Sequence, residues 1–260
     1  MCMLPEDRHY SFSALSLFDE CPMAFKLQYI DRMPKDQNGF AAFGSFCHKL
    51  LEGWAKDEIP AVALAEEYET GYDAAVTAPF PPFPKGLPQK YYEAGLDYFK
   101  NFDGFGDYEI LDVEAPFEYR VDGYRFIGFV DLVLRDRDGD IYIIDHKSKS
   151  SKQMTKDLPT YRKQLYTYAR FVYEKYGVFP KKIGFNLFRE GGEMVWEDFD
   201  ERRYEATMDW IASTIKRIQA ETEWKVSSSS FFCRFICSVF NSCPAKDVIL
   251  YGGGRGEKNE

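Results

Sequence analysis

The chain has 260 residues, 45% of them hydrophobic and 17% aromatic, with 33 basic and 42 acidic side chains and a formal net charge of −9. That length holds one large domain, or one domain with a small appendage, and it buries enough core to fold without disulfides or metal. The acidic balance excludes a polybasic protein that coats nucleic acid by bulk charge, though not a localised basic groove, and the aromatic content excludes a disordered acidic tail.

The first ten residues, MCMLPEDRHY, contain no apolar run of signal-peptide type, and nowhere do eighteen apolar residues follow one another. A cytoplasmic protein is expected, and in a reducing compartment its six cysteines are thiols or metal ligands rather than disulfides. From Ser11 to Ile30, Leu15, Phe18, Phe25 and Tyr29 recur at helical spacing, broken at Cys21-Pro22, where proline suits a helix start. Further helices are expected over about 40–56, 62–75 and 89–101. Between the last two, the proline-rich stretch PFPPFPKGLP (79–88) reads as a stiff surface loop or lid. From Tyr108 the pattern turns to strands, and Asp122-Gly123 and Asp138-Gly139 between aromatic and β-branched runs predict a three-stranded antiparallel meander. A helix over 160–176 ending at Gly177, a hairpin around Gly191-Gly192 and a long helix over about 201–220 follow. A serine run, a cysteine group and a GGGRGEKNE tail, expected to be disordered over 251–260, end the chain. This order indicates an α/β fold of the α+β type, in one domain over about 1–250.

Asp131 stands in the apolar strand GFVDLVL and Asp145 ends the next, IYIIDHKSKS. A carboxylate in such a strand is costly unless it is paired or bound to metal. Two in adjacent hairpin strands can converge on one cation, and hard oxygen ligands suit Mg²⁺ or Mn²⁺. Strand alternation points Asp145 and Lys147 together and the His146 side chain away. The bland alternative is a pair of strand-end acids satisfied by Lys147. Gly44, His48 and Glu52 share one helical face, as do Gln164 and Tyr168 directly after the meander. By themselves such pairs are more often core packing. Between Lys147 and Lys163 lie six basic residues, including Lys149, Lys152 and Lys163, against one acid, Asp157. This is a solvated face or a phosphate-binding surface, with Tyr161 and Tyr166 near enough to stack unpaired bases. Cys21, Cys233, Cys237 and Cys243 offer four thiolates that would suit zinc or a 4Fe-4S cluster, or are independent buried thiols. Cys2 and Cys47 read as ordinary thiols.

The ordered set Gly44-x3-His48, Gly128-x2-Asp131, Asp145-x-Lys147 and Gln164-x3-Tyr168 resembles the PD-(D/E)XK nuclease superfamily, in its RecB-like exonuclease branch. The resemblance implies a restriction-endonuclease-like core with a central mixed sheet flanked by helices. His48, Asp131, Asp145 and the His146 carbonyl would be metal ligands, and Lys147 the catalytic lysine beside Asp131 and Asp145. Gln164 and Tyr168 would position the DNA strand, with Glu114 and Glu52 as supporting carboxylates. One cysteine near the start, followed by proline, and three near the end resemble the iron–sulfur branch. This implies a 4Fe-4S cluster on Cys21, Cys233, Cys237 and Cys243, although three residues rather than the usual two separate Cys233 from Cys237. The implied function is a Mg²⁺- or Mn²⁺-dependent exonuclease acting on single-stranded DNA or DNA ends, with a helicase, integrase or recombinase as partner. The alternatives are a DNA-end-binding scaffold subunit and a zinc-stapled regulatory protein.

Overall fold

A computed structural model describes residues 8–251. Cys2 and the tail beyond Tyr251 lie outside the described residues. Strand β1 (His9–Tyr10) leads into α1 (Phe12–Glu20), whose first turn is capped by the Ser11 hydroxyl accepting from the Ala14 amide. The chain breaks at Cys21, and proline then starts α2 (Pro22–Phe25), which runs on as a π-helical turn over Lys26–Ile30. Helices α3 (Gly39–Ala55), α4 (Leu64–Ala75) and α5 (Leu87–Asn101) bury Phe43, Leu51, Tyr68 and Phe99 against one another and against Phe188. The proline-rich stretch is anchored to this cluster. Phe80 packs on Phe40 and Tyr91, and a Cβ at Gly39 would stand 2.4 Å from its ring, so only glycine admits the contact.

Strands β2 (Glu109–Val121), β3 (Tyr124–Arg135) and β4 (Ile141–Lys147) form the expected antiparallel meander. Asp122 and Gly123 both take positive φ, the conformation that lets a two-residue turn follow the strand twist. Strand β5 (Lys182–Leu187) pairs parallel to β4, and β6 (Glu193–Asp198) antiparallel to β5, giving a mixed sheet in the order β1-β3-β4-β5-β6 with β2 on the far edge of β3.

The crossover from β4 to β5 is α6 (Ser151–Tyr176), which starts nine residues before the expected Thr160. The early start comes from a reciprocal cap: Ser150 takes the Gln153 amide, and the Gln153 side chain takes the Ser150 amide. Pro159 is accommodated inside the helix, so most of the basic run is helical rather than loop. Helix α7 (Glu201–Ala220) follows, and α1, α6 and α7 cover one sheet face over Phe126, Val133, Ile143, Leu165, Tyr166 and Ile211. Short helices α8 (Ser230–Phe235) and α9 (Lys246–Tyr251) complete the described chain.

Candidate active site

The site sits where β3 loses its neighbour. On the edge away from β2, β3 pairs with β1 at Arg125 and Phe126 and with β4 from Leu132 to Arg135, leaving residues 127–131 without a strand partner there. At Asp131 the side chain replaces the missing ladder, its Oδ2 accepting the His146 amide at 3.0 Å. The β2–β3 ribbon also changes face here. Val130 and Phe117 pack with Phe126 in one cluster, whereas Leu132 and Val113 pack with Tyr142 in the other. The change coincides with Glu114, which lies between the pairs Val113–Leu132 and Ala115–Val130 and takes φ 45°. A non-glycine residue in the left-handed region is strained, and such strain concentrates at functional sites. The result is that Glu114 and Asp131 both reach His48, which α3 delivers from the helical end of the sheet. His48 Nδ1 is 3.5 Å from Asp131 Oδ2 and 3.8 Å from Glu114 Oε1, while its Nε2 is 2.8 Å from the His146 carbonyl oxygen. Among the described residues, His48, Glu114 and Asp131 are the group whose donor atoms lie within 4.8 Å of one another and could hold a cation. Glu114, expected only as a supporting carboxylate, is therefore a candidate ligand. A glutamate on an exposed, alternating strand gives no sequence signal of this; the positive φ places it.

Behind this group the carboxylates are tied together from α6. Tyr168 Oη stands 3.4 Å from Asp131 Oδ1 and 3.3 Å from Asp145 Oδ1, Gln164 Nε2 donates to Tyr168 Oη at 2.6 Å, and Lys147 Nζ donates to Gln164 Oε1 at 3.0 Å. Lys147 Nζ also lies 2.5 Å from Asp145 Oδ2, an ion pair that neutralises the buried carboxylate. Gln164 and Tyr168 thus face the carboxylates, and Tyr168 is buried beneath them rather than presented to solvent. Burial pushes Asp145 up to about 6 against the pull of Lys147, and it raises Asp131 likewise. For His48, burial acts downward, but Glu114 and the two aspartates outweigh it and raise its pKa. Burial also acts downward on Lys147, and Asp145 and Asp131 outweigh it, so the side chain stays an ammonium. His48 and Glu52 line one open groove with Glu114, Lys147 and Ser148; Glu52 itself pairs with Lys56. As the strand alternation requires, the His146 side chain points to the other face, where its Nδ1 is 3.0 Å from Asn186 Nδ2.

The basic run divides. Lys147 and Lys149 lie over the Tyr161 ring at 5.3 and 4.8 Å, with Lys149 paired to Asp157 at 2.9 Å, and Lys152 is exposed. Arg162 is bound to Glu197, and Lys163 lies 4.4 Å over Trp210, against α7. Tyr166 is fully buried with its hydroxyl on the Asp200 amide, which corrects the expectation that it stacks bases. Cys21, Cys237 and Cys243 meet around Val239 and Leu27. Burial and then the neighbouring thiols raise Cys233 and Cys237, the latter to about 11. Cys47 is buried elsewhere, against α4 and α5. No helix among the described residues is long and apolar enough to cross a membrane.

A family model described as the PD-(D/E)XK nuclease superfamily matches residues 9–246. Among solved structures, that of a candidate exonuclease from Eubacterium rectale covers 91% of this chain and 88% of its own, at 9% identity and a TM-score of 0.50. A second, of a protein designated SSO0001, covers 94% and 89%, at 16% identity and a TM-score of 0.39. No curated protein matches the chain. At 9% identity the likeness to the Eubacterium rectale structure is one of fold alone.

Proposed function

Because this chain belongs to the PD-(D/E)XK nuclease superfamily, we propose that it is a metal-dependent exonuclease that hydrolyses phosphodiester bonds of single-stranded DNA or DNA ends. The observation that carries the reading is the convergence of His48, Glu114 and Asp131 within 4.8 Å, beside a buried Asp145 paired with Lys147. One imidazole, three carboxylates and the His146 carbonyl are the hard and borderline donors that Mg²⁺ or Mn²⁺ take. When bound, such a cation polarises a phosphoryl oxygen and acidifies a water. The chain's own contribution is placement and charge. Asp145, Gln164 and the Tyr161 ring aim the Lys147 ammonium, which neutralises charge developing on the phosphate. Because its pKa is raised, Lys147 does this as a donor and not as a base. Tyr168 spaces the two aspartates by bonding to one oxygen of each, and Lys149 and Lys152 take flanking phosphates.

We further propose that the chain follows the RecB-like iron–sulfur branch, with a 4Fe-4S cluster on Cys21, Cys233, Cys237 and Cys243. What supports this is that Cys21, Cys237 and Cys243 pack in one cluster although Cys21 is far from the other two in sequence, and that Cys233 is near enough to act on the Cys237 thiol. The function is tested by degradation of end-labelled single-stranded DNA with Mn²⁺, against Asp131→Ala and Lys147→Ala. Loss of cutting in both supports it; cutting at the wild-type rate by both refutes the assigned site, and binding without cutting by the wild type assigns the chain to a scaffold role.

A further inference from the structure

The open groove at His48 and Glu114 does not end at helix α3. Ser45, Lys49 and Glu52 line it, and the same three residues line a second trough, of about 690 Å³, on the far side of α3 against α4. They form the crest between two grooves that lie one helix width, roughly 10 Å, apart. Ahead of His48 this crest is low. Ala41, Gly44 and Ser45 bring almost no side chain to it, and a Cβ at Gly44 would already stand 3.6 Å from Ser148 Oγ across the first groove. Lys49 is exposed on the crest and makes no ion pair among the described residues, whereas Glu52, further along, is neutralised by Lys56. The trough itself has two chemically different ends. Helices α3 and α4 run antiparallel along it, since a Cβ at Gly71 would touch the Phe46 ring while one at Gly53 would touch Ile59, ahead of α4. Toward Gln37 its walls are Ala42, Phe46 and Ala74, with no carboxylate, and toward Ile59 it carries Glu58 and Glu67. A polyanion is repelled from the second end and admitted at the first, where a cation at the entrance precedes an apolar floor.

We propose that the DNA strand bound at His48, Glu114 and Asp131 crosses α3 over Ser45, with Lys49 on a phosphate, and lays its following nucleotides in the trough between α3 and α4, toward Gln37. Lys149 and Lys152 then hold the strand on one flank of the metal-holding group and Lys49 holds it on the other. Gly44, whose place ahead of His48 helix packing does not explain, keeps the passage open. The proposal rests on the phosphodiester reading for the phosphate at the metal-holding group. Its test is separable from that reading because it is made by binding, in EDTA.

Oligothymidylates of increasing length are titrated with the full-length protein over a range of salt concentrations. For strands long enough to reach the trough, Lys49→Ala lowers the steepness of log K against log[salt] by about 0.7, the value of one phosphate contact on a single strand. Ala74→Lys, at an exposed position on the trough wall, raises it by about 0.7, and Ala74→Glu weakens binding. Neither Ala74 variant alters the binding of the shortest strands, which fill only the groove at His48. Asp73→Asn, exposed beside Ala74 but outside the trough, adds the same charge as Ala74→Lys and leaves the steepness unchanged. The proposal is overturned if Lys49→Ala keeps the wild-type salt dependence, or if Asp73→Asn changes it as much as Ala74→Lys. It is also overturned if the Ala74 effects are complete with the shortest strand that binds, because the trough would then be a separate site. Should Lys49→Ala fail to fold, as read by its melting curve, the two Ala74 variants decide. Altered salt dependence with no Mn²⁺-dependent cutting by the wild type keeps the strand path and sinks the nuclease reading; cutting with every salt dependence unchanged does the reverse.

Discussion

Replacing Asp145 by asparagine is expected to stabilise the metal-free protein while abolishing its activity. Asp145 is buried with its carboxyl raised to about 6 from an ordinary 3.8, and that value already includes the attraction of Lys147. A carboxyl whose folded pKa is raised favours the fold while protonated. Its stabilising contribution is present below about 3.8 and is lost as the pH rises through about 6. At pH 7 the ionised group therefore costs the fold about 3 kcal/mol relative to a neutral isostere. Asparagine has the shape of the carboxyl without the charge, so Asp145→Asn should be more stable by about 3 kcal/mol at pH 7, falling to roughly half of that at pH 5. The assay is urea unfolding in EDTA at both pH values, with the same curves repeated in Mn²⁺. The wild type should gain stability from Mn²⁺, since a ligand that binds only the folded state stabilises it by mass action, and the variant should gain little. A variant less stable than the wild type at pH 7 in EDTA would show that the Lys147 ion pair outweighs the desolvation of Asp145, and the reasoning would be wrong.

Lys147→Ala should slow cutting by about 10²–10³-fold, the effect of losing one charge-stabilising donor, and Lys147→Arg should not restore it, because a planar fork does not fit a seat built for one ammonium between Asp145 and Gln164. End-labelled single-stranded DNA under single-turnover conditions gives both rates. Glu114→Gly and Glu114→Ala should weaken Mn²⁺ binding alike by calorimetry, but the glycine variant should be more stable by about 1 kcal/mol, because it alone relieves the φ of 45°. Equal stabilities would mean that the backbone there is not strained. Cys21→Ser and Cys237→Ser should each lower iron content in anaerobically purified protein and lower the melting temperature, leaving Mn²⁺ affinity within about twofold, since their contacts with Val239 lie apart from the carboxylates. Iron-free wild-type protein with stoichiometric zinc would remove the cluster.

What the sequence determined was everything carried by local period and local chemistry. The Asp-Gly turns and β-branched runs dictated the β2–β3–β4 meander, and alternation along β4 put Asp145 and Lys147 on one face with the His146 ring on the other. Residues four apart on α6 had to point together, and Gln164 and Tyr168 do. Where the sequence reading slipped, a local signal was passed over: a helix was expected from Thr160, but the Ser150–Gln153 cap begins it upstream and Pro159 is carried within it. The tertiary structure alone decided what pairs at a distance. The parallel docking of β5 on β4, the delivery of His48 to a carbonyl 98 residues away, and the gathering of Cys21 with Cys237 and Cys243 depend on contacts between segments whose own patterns do not name their partners. Two features were illegible for a sharper reason. The turn of the ribbon at Glu114 goes against its residue's backbone preference, and Oδ1 of Asn186 is left unbonded inside an apolar wall. Local propensity argues against both, so only the surrounding packing could impose them.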